Sequence, residues 1–500
     1  MKFMGIDVGT TGVKATVFDE NGVILGYGFQ NYPIIFGGSK YAEQDAEFVW
    51  ARTKDAMLSA IASSGPDIAS ISLSTQGDAV IPVDRNRNAL HHAILGMDYR
   101  TEPEASQCAA LLGDQHLFCL TGMRPHPMNS LTKMMWLQKN CPQLEANLWK
   151  YTTYADFILL KLGSDAPVID LTMASRVMAL ELRTRRWSSE ILDAVGIPAG
   201  LLSEPAPSGE IVGTIRRDLA EDLGINPRAK IVTGGHDQPC AALGAGVTGE
   251  GIALDSHGTA EVLSTAFESV RLGDSMYEGY YPCTYHVVPD RYFTFALNHT
   301  GGLLLQWLRD TCCTQDIEDA RKLNMDPYTY LIGRAPDKPS SVMVLPHFNG
   351  SGTPWCDLKS KGAFLGLTMD TTREDLVKAM LDSLTYEMRI NLERLNEAQV
   401  SVRRLRCVGG AAKSEKWMQI KADILGCTVE TLAVREAACL GAAMLAATAV
   451  GTYGSPMEAL AMVQLQKRFE PNPASHQLYD SKYRTYCKIY QTLKPLNHLL

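Results

Sequence analysis

The sequence predicts an α/β chain of more than one domain, in which a strand–turn–strand unit at the N-terminus returns about half a chain later. Three observations predict it. A length of 500 residues exceeds what one hydrophobic core usually serves and points to two or three domains. Strand-like and helix-like stretches alternate along the chain, in a composition (46% hydrophobic, 20% charged) ordinary for a folded protein. Finally, Asp7-x-Gly9-Thr10, where one strand runs into a turn and a second follows, is echoed by Asp255-x-x-Gly258-Thr259.

The opening reads as an antiparallel meander: strands at Lys2–Val8, Val13–Asp19 and Val23–Phe29, with turns at Gly9–Gly12 and Glu20–Gly22. Phe48–Ser63 has helical spacing, and Ile68–Thr75 reads as a buried strand. Leu201–Gly213, rich in Pro, Ser and Gly, reads as a surface connection. Next, Lys230–Asp237 is strand-like, Gln238–Gly246 helical, and Gly251–Thr265 resembles the opening unit. Cys407–Glu430 reads as a strand, a Gly-Gly-Ala turn, an amphipathic helix and another strand.

The net charge of −8 disfavours nucleic acid and anionic membranes as partners. Twelve cysteines without a Cys-x-x-Cys, no basic-then-apolar leader, and no apolar run of membrane-spanning length lead to the expectation of a reduced, cytoplasmic protein.

The chemistry-bearing stretches each have two readings. "MGIDVGTTGVK" (Met4–Lys14) has the glycines, hydroxyls and lysine of a phosphate loop, but no Gly-Lys pair, and a strand rather than a helix follows. The P-loop and the Rossmann fingerprint both fail on that ground. What remains is an ordinary hairpin turn, or one whose amides and Thr10/Thr11 hydroxyls donate to phosphate. Asp7, ending a buried strand, requires a partner, and a hydrated Mg²⁺ carried by a nucleotide would supply it. "GAGVTG" (Gly244–Gly249) satisfies Gly-x-Gly-x-x-Gly but follows a helix, so Gly244 and Gly246 are expected to end that helix. Asp237 reads either as a helix cap, the choice favoured by chemistry alone, or as a general base in phosphoryl transfer. Gly409, Gly410 and Ala411 would admit a flat ring against the backbone, or simply close helix–strand packing.

Taken together these stretches resemble the FGGY family of carbohydrate kinases, a branch of the actin/hexokinase/Hsp70-type ATPases. Met128–Leu137, with Lys133 and Trp136, resembles one family pattern, and Gly362–Asp382 resembles the other. The resemblance runs from the first strand to about Ala447 and includes Tyr41–Trp50 and Arg185–Ser188. It implies two ribonuclease-H-like α/β domains with an interdomain cleft, expected at residues 1–232 and 233–500. It implies Asp237 as catalytic base, Asp7 as the carboxylate holding Mg²⁺ through water, and Asp237 as a second candidate contact for the ion. Thr10, Thr11 and Lys14 match the first phosphate turn, and Gly258 and Thr259 the second. Thr300–Leu308, with Gly302 and Gln306, and Gly409–Ala411 match nucleotide-side segments. ATP with Mg²⁺, a sugar or polyol acceptor, and a homo-oligomer, most simply a dimer, are implied with them.

The acceptor maps to Gln76, Asp78, Asp98, Arg100 and Gln238. Glycerol kinases usually carry Arg-Glu where this chain has Gly77-Asp78, and a tyrosine where it has Met128. Xylulose kinases usually show Gln-Met-His-Gly where it has Ser74–Gly77. Many family members place a tryptophan at Gly96, so a pocket with added room is expected. Arg100 either meets a substrate carboxylate or pairs with Asp98 or Glu102. D-xylulose is the single acceptor expected; a glycerol- or gluconate-type kinase and a non-catalytic nucleotide sensor on the same fold are the alternatives.

Overall fold

In the computed structural model, which describes residues Met1–Leu500, the opening meander is present. β1 (Lys2–Val8), β2 (Gly12–Asp19) and β3 (Ile24–Asn31) pair antiparallel, with β1 opposite β2 from Lys2–Asp19 to Val8–Val13. The chain returns through α1 (Ala46–Ser64), whose first turn is capped by Asp45 accepting from the Glu47 and Phe48 amides. β4 (Ser70–Thr75) then lies parallel to β1 and is buried along its whole length, the mark of a strand covered on both faces. A short helix, α2 (Leu171–Arg176), is capped by Asp170. β5 (Ile211–Thr214) and β6 (Lys230–His236) complete a six-stranded sheet in the order β5-β6-β4-β1-β2-β3.

The expected surface connection Leu201–Gly213 is therefore corrected. It contains a strand at Glu204–Ala206, paired parallel with Val168–Asp170, and enters β5, the sheet's edge strand. Pro, Ser and Gly are compatible with edges, where unpaired positions are tolerated, and that composition hid the pairing.

After α3 (Asp237–Gly244) the chain builds its second sheet. β7 (Gly251–His257), β8 (Glu261–Phe267), β9 (Thr284–Tyr285) and β10 (Tyr292–Asn298) are followed by α4 (Gly302–Cys312). Further on come β11 (Val402–Gly409), α5 (Glu415–Leu425), β12 (Thr428–Leu432), α6 (Ala437–Ala449) and β13 (Leu465–Phe469). The order is β9-β10-β8-β7-β11-β12-β13. Leaving out the two-residue β9, the pairings run antiparallel, antiparallel, parallel, parallel, antiparallel. The first sheet, read from β3 to β5, has the same sequence of pairings. The echo in the sequence thus extends to the topology of both halves.

The expected boundary at residue 233 falls inside β6, which stays in the first sheet as far as His236. The crossing itself is α3, and its topological counterpart is α6. The two helices touch through glycines in a reciprocal way. A Cβ on Gly244 would lie 1.9 Å from the Ala437 carbonyl oxygen, and one on Gly441 would lie 1.9 Å from that of Cys240. α6 also lies on the first sheet, where a Cβ on Gly5 of β1 would meet the Cys439 carbonyl oxygen at 1.9 Å. α3 in turn packs its Ala242, and the Ala245 that follows it, with Leu254, Phe293 and Val408 of the second sheet. Each half therefore covers the other. No helix is long and apolar enough to cross a membrane.

Gly441→Ala forces backbone apart where no flexible side chain can yield, so it is expected to destabilise the fold by about 3 kcal/mol, the upper range for overpacking. The check is the urea midpoint, with Gly249→Ala, whose Cβ would meet nothing within 4 Å, as the silent control.

Candidate active site at the strand ends

β1, β4 and β6 are parallel, so their carboxyl ends share one edge, the edge where open α/β sheets place ligands. Register sets Asp7 beside Ser74, and Ser74 beside Gly235. Beyond this edge project the Gly9–Gly12 turn, Gln76 and Asp237.

The turn closes on a Gly9 amide to Gly12 carbonyl bond of 3.0 Å. Its carbonyls are tied inward: the Tyr32 hydroxyl donates to Gly9 O at 2.6 Å and Gln44 Nε2 to Thr10 O at 2.6 Å. Gln76 Nε2 donates to Gly9 O at 3.2 Å and to Gln44 Oε1 at 3.0 Å, and the Tyr154 hydroxyl donates to the same Oε1 at 3.0 Å. Gln76 thus braces the turn. With the carbonyls held from behind, the amides and hydroxyls of Thr10 and Thr11 are the groups left to meet an anion. Lys14, opposite Asp7 in the β1–β2 register, is ion-paired at 2.7 Å with Glu436 at the start of α6.

Asp7 accepts a 2.7 Å hydrogen bond from Ser74, and burial pushes its pKa up against that bond and Lys14. The helix-cap reading of Asp237 is corrected: His236 occupies the cap position and Asp237 is the first residue of α3. Burial pushes the Asp237 pKa up to about 7, with the charge of Asp7 adding to the rise and the Gln238 amide and Arg176 opposing it. A third of the Asp237 side chain remains open. His236 Nε2 lies 3.1 Å from Asp237 Oδ1. Burial and then Arg176 push the His236 pKa down to about 3, so the imidazole is neutral at neutral pH. Two carboxylates with raised pKa values in one pocket are the donor set a hydrated divalent cation suits.

The second turn, Gly258–Ala260, closes with Gly258 N donating to Ala260 O at 2.9 Å. The amides of Gly301 and Gly302 donate to Thr259 O and Gly258 O, each at 2.9 Å, which locks this turn onto the start of α4. Gln306, one turn along α4, is exposed. Gly409 has a left-handed φ of 90°, and a Cβ there would lie 2.3 Å from His257 O. The Gly410 amide donates to that oxygen at 3.1 Å, Gly410 is exposed and Ala411 buried. The nucleotide-side segments named from the sequence are thus contiguous. The aspartate echo is not exact: Asp255 stands one residue further from its Gly-Thr than Asp7 does. Side chains alternate along a strand, so Asp255 faces beneath α5 instead.

On the acceptor side, Asp98 and Arg100 are spent on one another. Arg100 Nε lies 2.9 and 3.0 Å from the two Asp98 oxygens, and its Nη2 lies 2.7 Å from Asp98 and 2.7 Å from Glu43. The Ala42 amide takes Asp98 Oδ2 as well, at 2.7 Å. The Arg100 guanidinium lies 3.9 Å from the Tyr41 ring centre and 4.8 Å from that of Trp136. Of the two readings of Arg100, the ion pair with Asp98 is the one realised; Glu102 pairs with Lys40.

Gly96 also differs from expectation. A Cβ there would meet Gly77 O at 3.2 Å and Asp78 Cβ at 3.3 Å, so Asp78 fills the room a missing indole would leave. Asp78, at a left-handed φ of 66°, is buried and held by Arg176 in a two-pronged pair of 3.1 and 2.8 Å. The guanidinium lies 5.4 Å from the Phe295 ring centre on β10, so the pair bridges the halves. Sequence reading missed Arg176, whose partner is 98 residues away; its only local signal was a charge in an otherwise uncharged, capped helix. Gln238 Oε1 is buried with no partner in the chain.

Residues 2–244 match the N-terminal domain of the FGGY family of carbohydrate kinases, and residues 256–450 its C-terminal domain. The chain is 27% identical to the xylulose kinase of Bacillus subtilis (strain 168), over 100% of this chain and 99% of that protein. It is 28% identical to the gluconokinase of the same organism, over 99% of this chain and 95% of that one. A crystal structure of a xylulose kinase from Brucella ovis superposes with a TM-score of 0.89 at 25% identity, covering 99% and 100% of the two chains. With both of its halves matched and the whole architecture shared, the chain belongs to the FGGY family of carbohydrate kinases, ATP-dependent phosphotransferases.

Proposed function

We propose that this kinase transfers the γ-phosphoryl group of MgATP to a hydroxyl of a neutral sugar or polyol, D-xylulose first among them. The observation that carries the reading is Asp237: a carboxylate with a pKa near 7, a third open, between the Asp7 turn and the buried Asp78–Arg176 pair. Asp237 accepts the proton of the attacking hydroxyl as its oxygen bonds to the γ-phosphorus and the bond from that phosphorus to the departing ADP breaks. His236 beside it orients the carboxylate without adding charge. The Thr10/Thr11 amides and hydroxyls, and those at Gly258–Thr259, receive the phosphates, with Lys14 adding positive charge at the first turn. Mg²⁺ arriving with the nucleotide would be held through water by Asp7, with Asp237 close by, and would neutralise phosphate charge. Gln238 Oε1, buried without a partner, accepts a second acceptor hydroxyl. The halves, joined through α3, close over the substrates and exclude water.

The cations near the acceptor favour a neutral substrate over an aldonate. Arg100 is committed to Asp98 and Glu43, and Arg176 to Asp78. Lys133, fully buried, donates to the Pro127 and Met128 carbonyls, and burial pushes its pKa down to about 8. A carboxylate entering here would lie beside Asp78 with no uncommitted cation to meet it, and burying an unpaired charge costs several kcal/mol.

A coupled assay with pentuloses, hexuloses, polyols and aldonates is expected to give turnover on neutral acceptors and none on gluconate; the reverse would overturn the reading. Asp237→Asn is expected to lose at least about 100-fold in kcat while binding ADP like the parent, measured by calorimetry. Because the pKa of Asp237 is raised, its base form prevails only above pH 7. In the parent enzyme kcat/KM therefore falls tenfold per pH unit well below that value, a limb that a pH–rate profile reads directly. Arg176→Met strands Asp78 as a buried charge, so about 3–5 kcal/mol of stability should be lost in a denaturant titration, and the acceptor KM should rise while that for ATP holds.

A further inference from the structure

Beneath the second turn lies a buried charge cluster that the proposed chemistry does not use. His257 and Glu261 stand directly opposite each other and close the Gly258–Ala260 turn. His257 Nδ1 lies 2.8 Å from Glu261 Oε1, and both residues are almost fully buried. Lys421 of α5, wholly buried, donates to Glu261 Oε1 at 2.7 Å and also to Asp255 Oδ2. The Cys407 thiol of β11 lies 3.3 Å from the same Asp255 oxygen. Asn298, the last residue of β10, donates to Glu261 Oε2 at 3.1 Å.

Asp255, His257 and Glu261 are near enough to one another to hold a metal ion, but the Lys421 ammonium already stands between the carboxylates. The cluster is closed around its own cation. What it connects is the nucleotide side of the molecule. Glu261 and His257 are the posts of the Gly258–Ala260 turn. Asn298 leads into Gly301–Gly302, whose amides bind that turn. The His257 carbonyl holds Gly410, and α5, which carries Lys421, follows the Gly409–Ala411 turn. Burial would lower the pKa of Lys421, yet Asp255 and Glu261 outweigh it and raise it, so the ammonium stays charged. Burial would raise Glu261, but Lys421 and His257 hold it down at about 2.

We propose that Lys421 is a positioning residue for the nucleotide: one buried ammonium fixes the Gly258–Ala260 turn, the start of α4 and the Gly409–Ala411 turn relative to one another. The inference rests on the reading of these turns as nucleotide contacts. Remove the ammonium and Asp255 and Glu261, both buried, lose the partner they share directly under the phosphate turn.

The test is Lys421→Met, of similar length and uncharged, beside the triple variant Asp255→Asn/Glu261→Gln/Lys421→Met, in which all three side chains are neutral and which keeps the question open if the single variant does not fold. The expected result, in whichever variant folds, is a rise of at least about tenfold in the KM for MgATP and in the calorimetric Kd for ADP, with the acceptor KM unchanged. Unchanged nucleotide constants with only a lowered melting temperature, or equal shifts in both KM values, would overturn it. Wild-type protein that bound no ADP would instead refute the nucleotide reading itself, and the same titration separates the two failures.

Discussion

The rest of the structure depends on one contact between backbones. α3 and α6 leave equivalent strands of the two sheets and cross with glycine against carbonyl on both sides, Gly244 on Ala437 and Gly441 on Cys240. The helices can approach this closely only because neither presents a Cβ at the crossing. α3 begins with Asp237 and α6 begins just after Glu436, the partner of Lys14. The crossing thereby sets where Asp237 stands relative to the first turn. A shared core joins Phe3 and Phe18 of the first sheet with Cys240, Leu243, Leu440 and Met444 of the two helices. Pulling this helix pair apart would expose that core.

The site keeps its charge local. Asp7 and Asp237 are the acids left without a full complement of partners, and both are pushed toward the protonated form. Around them, Asp78, Asp98, Arg100 and Arg176 cancel in pairs, and His236 is neutral. A neutral surround keeps the field at the reacting atoms simple: two acids on one side, turn amides on the other.

Much of this was legible in the chain because it is written in local spacing. The meander, the Gly-Thr turns, the end of α3 at Gly244 with a left-handed Gly246 behind it, and the strand–helix–strand at Cys407–Glu430 all follow from residues a few positions apart. What was not legible depends on distant partners. Gly96 signalled space, but the space is occupied by Asp78, whose conformation is set by Arg176 from another element. Arg100 read either as a ligand for a carboxylate or as a partner of Asp98 or Glu102, and only the fold brings Glu43, Tyr41 and Trp136 around it. Gln76 looked like a sugar contact, but its amide turns back to Gly9 and Gln44. In each case the partner was chosen by topology.

The single extra residue between Asp255 and its Gly-Thr has a consequence for the symmetry of the whole molecule. Two halves with the same pairing order would, with identical turns, offer a polyanion two equivalent mouths and no reason to enter one way round. Moving one aspartate to the far face, under Lys421, leaves that mouth without the carboxylate that Asp7 keeps at the other. A duplicated scaffold thereby acquires a head and a tail.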